Sequence, residues 1–291
     1  MSEPLRYWPV KRWEELQDTL KNDLPRSFPG YISLEHQKEW LNLGINHGFN
    51  VYCPYADVSN GMVAINEKNT AYEVIIQCPK NETDELAKAL KDTKIINWDR
   101  HVTIPFAPRH IFECVKEVVK FIEAEIYHTI PSVLFFLDKD TLPYQDVNLP
   151  PGISFNLLNK QYIDLIDSCW PHRYPGSSWY FELLIKAKSG FGLFQNGHLI
   201  SWMLINETGA ITHVYTIEQY RKKGLAGTLL KLVCNMRLQE NKHVLIFSVA
   251  TNTIARNLYT KMGFQLYDEL GWIFLKKKCL LNATSSNFNS T

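Results

Sequence analysis

Apolar residues recur every three to four positions over about 11–23 and 33–47, which predicts two helices in the first part of the chain. Short runs rich in β-branched and aromatic residues follow. "FNVYCP" and "AYEVIIQC" predict strands. "ETDELAKALKDT" returns to the helical period, capped near Asn81. "PRHIFECVKEVVKFIEAEIY" predicts a longer helix, with Pro108 near its start, where a missing N–H costs no hydrogen bond. "PSVLFFLD" is almost wholly apolar and predicts a buried strand.

Periodicity lapses over residues 137–154, "LDKDTLPYQDVNLPPGIS", where charges, Pro143 and the Pro150-Pro151-Gly152 cluster mark a boundary. Beyond it "NKQYIDLIDSCW" and "SSWYFELLIKAK" predict helices. "GFGLFQ" and "HLISWMLINE" predict strands joined at Asn196-Gly197, a hairpin signal. "ITHVYTI" predicts another strand, then a helix runs from about 226 to 240 and "HVLIFSVA" returns to strand. "TIARNLYTKM" is helical, with Gly263 placed as its C-terminal cap. "FQLYDE" and "GWIFLKK" predict two closing strands. The tail "NATSSNFNST" is small and polar, a composition that predicts disorder. The class is α/β (α+β), with units expected at 1–145 and 152–278 and a tail at 279–291. No internal repeat is legible.

The length of 291 residues suits two domains of about 150 residues each. The net charge of +1 excludes a global field for nucleic acid or anionic membranes, so an anion site has to be local. No run approaches the ~18 apolar residues of a membrane span. The opening "MSEPLRYWPVKRWEELQDTL" has no apolar signal core and carries acids, so a cytoplasmic rather than mitochondrial protein is expected. Six cysteines without a C-x-x-C pair read as reduced thiols, neither a disulfide frame nor a metal site.

The candidate chemistry lies in "TIEQYRKKGLAGTLLKLVCNMRL", residues 216–238. Arg221, Lys222 and Lys223 run into Gly224, and a helix follows. The first turn of a helix leaves about four backbone N–H groups unpaired, and the helix dipole adds partial positive charge. A pyrophosphate fits such a place. The competing reading is a solvated basic loop that starts a helix. Neither G-x-x-x-x-G-K-[ST] nor G-x-G-x-x-G is present, so the familiar nucleotide loops are excluded.

Residues 155–276 resemble the GNAT superfamily of acyl-CoA N-acyltransferases. Arg221-Lys-Lys-Gly224-Leu-Ala226 matches that superfamily's [RQ]-x-x-G-x-[GA] loop, and "NTIARNLYTKMGF", from Asn252 to Phe264, matches its later segment. More narrowly, the Trp170 segment, Ser201-Trp202, Thr208-Gly209 and Tyr215-Thr216 are similar to the glycine N-acyltransferase-like branch. The resemblance implies a C-terminal GNAT fold, with a mixed twisted sheet and flanking helices. It also implies a smaller, degenerate GNAT-like α+β companion before it.

The resemblance further implies an acyl-CoA cosubstrate, acetyl-CoA or a larger thioester, and no metal. Its diphosphate would lie on Arg221, Lys222, Lys223, Gly224, Leu225, Ala226 and Gly227, and its pantetheine along Val214, Tyr215 and Thr216. Asn252 matches a coenzyme-contacting position and equally well a helix N-cap. Tyr259 matches the acid that protonates the leaving thiolate, or it packs in the core. The branch pattern places a glutamate after the Thr-Gly pair, and this chain has Ala210 there. His213, Glu207 and Tyr215 stand as replacements, beside a water chain. His213 is the catalytic candidate, although strict strand alternation turns it away from the face of residue 210. His172, Arg173 and Tyr174 either hold an acceptor carboxylate or pack as an aromatic loop. The acceptor expected is a small amine or amino acid such as glycine. The alternatives are a catalytically silent acyl-CoA binder and a protein N-acetyltransferase. No nucleic-acid or membrane partner is expected.

Overall fold

The computed structural model describes residues 2–278, and the segment expected to be disordered, 279–291, lies outside the described residues. The chain opens with β1 (Leu5–Tyr7), α1 (Trp13–Lys21), α2 (Phe28–Asn42), β2 (Phe49–Pro54), β3 (Met62–Glu67) and β4 (Tyr72–Gln77). Then come α3 (Asp84–Asp92), β5 (Val102–Pro108), α4 (Arg109–Val118) and β6 (Ala124–Leu137). After the boundary follow β7 (Ile153–Leu157), α5 (Ile163–Ser168), α6 (Ser178–Lys186), β8 (Gly190–Gln195), β9 (His198–Ile205) and β10 (Ala210–Thr216). The chain closes with α7 (Leu225–Gln239), β11 (Val244–Val249), α8 (Thr253–Lys261) and β12 (Gln265–Lys277).

These strands form one sheet in the order β1-β2-β3-β4-β5-β12-β6-β11-β10-β9-β8-β7. The order contains a duplication that the sequence hides. β2-β3-β4-α3-β5-α4-β6 and β8-β9-β10-α7-β11-α8-β12 follow one scheme. A meander leads to a helix, then to a strand parallel to the meander's last member, another helix and a long strand. β4 with β5 and β10 with β11 are the parallel neighbours. The final strands are exchanged. β12 lies between β5 and β6, and β6 pairs with β11 from Val244↔Leu137 to Val249↔Ser132.

Side chains alternate across the sheet, so each strand feeds two cores. On one face Val74 and Ile76 pack with Leu86, Leu90 and Val115 of α3 and α4. On that same face Phe135, Ile211 and Ile246 pack with Leu229, Val233 and Tyr259 of α7 and α8. The other face is covered by α1, α2, α5 and α6. There Ile75 meets Leu16 and Leu20, and Trp202 meets Phe181 and Leu184. α2 crosses this face and sets Phe28 and Ile32 on Leu134, Phe136, Ala210 and Leu245.

A buried ionic network ties the halves together. Lys68 Nζ lies 2.9 Å from Glu73 and 2.5 Å from Glu207. Asn66 Nδ2 donates to both carboxylates, Tyr180 Oη donates to Glu207 at 2.7 Å, and Gln37 Nε2 donates to the Glu207 carbonyl. Buried charges persist where each is paired in this way. Burial pushes the Glu207 carboxyl up, but the Lys68 ammonium outweighs it and holds the group down at about 2. A carboxylate so committed accepts no proton near neutral pH, which removes Glu207 as the replacement base.

Several elements differ from the periodicity. The helix expected from Pro108 to Tyr127 stops at Val118, and β6 begins at Ala124 after a turn with Glu123 at φ +51. Pairing with β12 along this stretch overrides its helical propensity. The two closing strands are one long strand with register shifts. α2 starts at Phe28, with Pro29 in its first turn, where it costs no hydrogen bond. Asn196 at φ +51 and Gly197 at φ +78 make the hairpin expected there.

Candidate active site

The basic turn leads into α7 through Gly224, whose φ of +75 is a left-handed conformation that glycine adopts without strain. Arg221, Lys222, Lys223 and Gly224 are exposed, Leu225 is buried, and Ala226 and Gly227 are half-buried. No protein acceptor takes the backbone amides of Lys222 through Gly227 among the described residues. The first paired amide is that of Thr228, 3.0 Å from the Gly224 carbonyl. A Cβ at Gly224 would meet nothing within 4 Å. The turn is therefore open, with consecutive donors unsatisfied. Arg221 departs from a phosphate-facing role. Its guanidinium folds back on β10, donating from Nε to the Thr216 carbonyl at 3.0 Å and from Nη2 to Tyr215 Oη at 3.3 Å.

β10 and β11 pair only at Ala210↔Leu245 and Ile211↔Ile246, then part. Val214 lies along the opening. Tyr215 stacks on Trp202 at 4.7 Å, and Thr216 Oγ1 shares a 2.8 Å hydrogen bond with Ser201. Against β9 the register of β10 shifts between Thr212 and Tyr215, and His213 has φ +52. This bulge adds the residue that alternation did not anticipate. It brings His213 against Trp170, Tyr180 and Phe181 at 5.5, 6.0 and 5.2 Å, on the face that also receives Ala210. Ala210 itself is buried under α2. Beside it a Cβ on Gly209 would come within 2.6 Å of Ile32.

The His213 ring nitrogens are enclosed and have no protein partner. Burial pushes the imidazole down to about 4, from an ordinary value of 6.5. It is thus neutral through the physiological range. The unfolded chain binds this proton below about pH 6.5 and the folded chain only near 4. Stability from this group is complete above 6.5 and falls by about 3 kcal/mol as the pH drops to 4. Thermal melts of the wild type and of His213→Gln should differ most in acid slope across that window. Parallel slopes would contradict the burial.

Tyr259 sits on α8, buried, with its ring on Phe135 at 5.1 Å and Phe264 at 5.8 Å. Burial pushes the phenol up to about 12, and no protein hydrogen bond contributes. It therefore keeps its proton at every physiological pH. Asn252 is the N-cap of α8 and accepts from the Ala255 amide at 3.1 Å. His172 and Arg173 are exposed, Arg173 standing 3.7 Å from Asp167, and the Tyr174 hydroxyl accepts from Trp179 Nε1.

The matching cleft of the first half is filled differently. A cavity of about 420 Å³ lies there, lined in part by Arg26, Asn81, Thr83, Arg109 and Glu113. Arg26 donates to Asn81 Oδ1 and to the Pro79 carbonyl, so a protein cation already occupies that loop. The first turn of α3 carries Asp84 and Glu85, which repel a diphosphate. The two related clefts thus differ: the first holds a protein cation and an acidic helix start, and the second an open row of unpaired amides. Among the described residues no group of His, Cys, Asp and Glu is arranged for a metal, and no helix is long and apolar enough to cross a membrane.

Residues 190–273 match the family model described as FR47-like protein. The bovine glycine N-phenylacetyltransferase is 24% identical over 242 residues, covering 74% of this chain and 79% of that protein. An X-ray structure of a Drosophila protein superposes with a TM-score of 0.81 at 18% identity, covering 96% of this chain and 100% of that one. A tandem GNAT protein from the clavulanic acid biosynthesis pathway superposes with a TM-score of 0.53 at 13% identity, over 93% of this chain and 97% of that one. The duplicated scheme of this sheet agrees with that tandem arrangement.

Proposed function

We propose, from the premise that the chain belongs to the GNAT superfamily of acyltransferases, that it transfers an acyl group from a CoA thioester to the amine of a small molecule or amino acid. The observation that carries the reading is the row of unpaired amides from Lys222 to Gly227, set beside two strands that part. The diphosphate rests on those amides, with Lys222 and Lys223 neutralising it. Pantetheine lies along Val214 to Thr216 in the opening and adds to the free strand edge. In this reading residues 152–278 carry the coenzyme and the chemistry. Residues 1–145 complete their sheet.

The amine attacks the thioester carbonyl, and a C–N bond forms as the C–S bond breaks. Charge on the carbonyl oxygen is met by amides of the bulge near Val214. Tyr259 gives its proton to the departing thiolate. The ammonium proton leaves to solvent through His213, which lies on the α2 face of the sheet and can only relay it, because burial holds the imidazole down at about 4. Trp170 closes the imidazole off, so this transfer runs through a water or follows displacement of that indole. The acid role is tested by thiol release from acyl-CoA over a panel of amines. Tyr259→Phe should lose roughly 100-fold in kcat while its Kd for CoA is unchanged. Full activity would remove Tyr259 from the chemistry.

Ala210 favours a second reading, an acyl-CoA binder without turnover. CoA binding with no thiol released by any amine would select it.

A further inference from the structure

The mouth of the β10–β11 opening has an aromatic wall drawn from both halves. Phe247 is the first residue of β11 beyond its last pairing with β10, and it is half-exposed. Its ring stacks on Phe106 at 3.7 Å and 21°. Phe106 in turn meets the half-exposed Trp272 edge-on at 4.9 Å. Phe247 pairs with Leu134 and lies with it in the core on the α2 face, opposite α7 and α8. The wall therefore stands across the opening from His213, on the face where an acyl substituent emerges if the coenzyme lies against α7.

Phe106 is held in an unusual way. It is 3% exposed and has φ +54, a left-handed conformation that bulky residues avoid. It lies where β5 slips against β12, between the pairs Ile104↔Ile273 and Ala107↔Gly271. The slip turns an aromatic ring from the first half onto a strand of the second. Strain of this kind persists where the surrounding structure over-determines it, and it gathers at binding sites.

We propose that Phe247 and Trp272 set acyl-chain selectivity and that Phe106 is the positioning residue that holds Phe247 forward. The inference rests on the coenzyme reading above. Backed by a buried ring, Phe247 cannot retreat, so the wall admits compact acyl groups and rejects extended ones. Removing the Phe106 ring leaves a space into which Phe247 folds, and longer chains then enter.

Calorimetric Kd values for free CoA, acetyl-CoA and hexanoyl-CoA test this without an acceptor. In Phe106→Ala the ratio of hexanoyl-CoA to acetyl-CoA affinity should rise by about tenfold, with free CoA unchanged. Should that variant not fold, Phe106→Leu and Phe247→Leu should each raise the same ratio. A purely structural Phe106 would lower the melting temperature and leave the ratio as in the wild type, which overturns the proposal. Failure of the wild type to bind free CoA at all would remove the coenzyme reading and this inference with it.

Discussion

Gly224→Glu should bind CoA on the order of 100-fold more weakly than the wild type by calorimetry. Two effects add. The left-handed φ of +75 strains any residue with a Cβ by about 1–2 kcal/mol, which disturbs the row of amides. The new carboxylate also faces a diphosphate at an exposed turn, where two unit charges about 4 Å apart in water repel by about 1 kcal/mol. The fold should survive, because a Cβ at this position meets nothing within 4 Å. Gly224→Ala separates the contributions, since it keeps the strain and omits the charge. Its loss should be about tenfold. Equal affinity in all three proteins would mean that the turn is a basic surface loop unrelated to CoA.

Residues 152–278 expressed alone should show no cooperative thermal transition and no CoA binding. β11 would lose β6 along its whole length, and β12 would lose both neighbours, β5 and β6. Val133, Phe135 and Leu137 of β6 also lie in the core that supports α7 and α8. Burial of each such side chain is worth about 1.5–3 kcal/mol. Their joint loss approaches the whole stability of an ordinary domain, about 5–15 kcal/mol. Exposed sheet edges add an aggregation hazard. Extending the fragment back through β6, to residue 119, should restore part of the transition. A folded, CoA-binding fragment of 152–278 would show that the strand exchange is dispensable.

The open basic turn before α7 was legible because its chemistry is local. Six consecutive residues supply the donors, and a glycine supplies the left-handed φ. Helices α6, α7 and α8 and the Asn196-Gly197 hairpin were legible for the same reason. What depended on strand register was not. Alternation turns His213 away from the face of residue 210, and the bulge after Thr212 reverses this. Nothing in residues 102–108 announces that the Phe106 ring meets Phe247, because β12 and β6 lie between their strands and the contact depends on the slip of β5 against β12. The duplication was legible only through the resemblance, as a degenerate companion domain, because the two halves share their order of elements and no visible repeat of residues. Glu207 looked available beside the missing glutamate. Its commitment to Lys68 comes from a residue far away in the chain.

The central claim is that the amides at the head of α7 grip a coenzyme's diphosphate. Amide resonances of the isotopically labelled protein, followed as CoA is added, test it most directly. The account predicts large shifts at Lys222 through Gly227 with CoA and none there with pantetheine, which lacks the diphosphate. Tight CoA binding that leaves those six amides unmoved would contradict it.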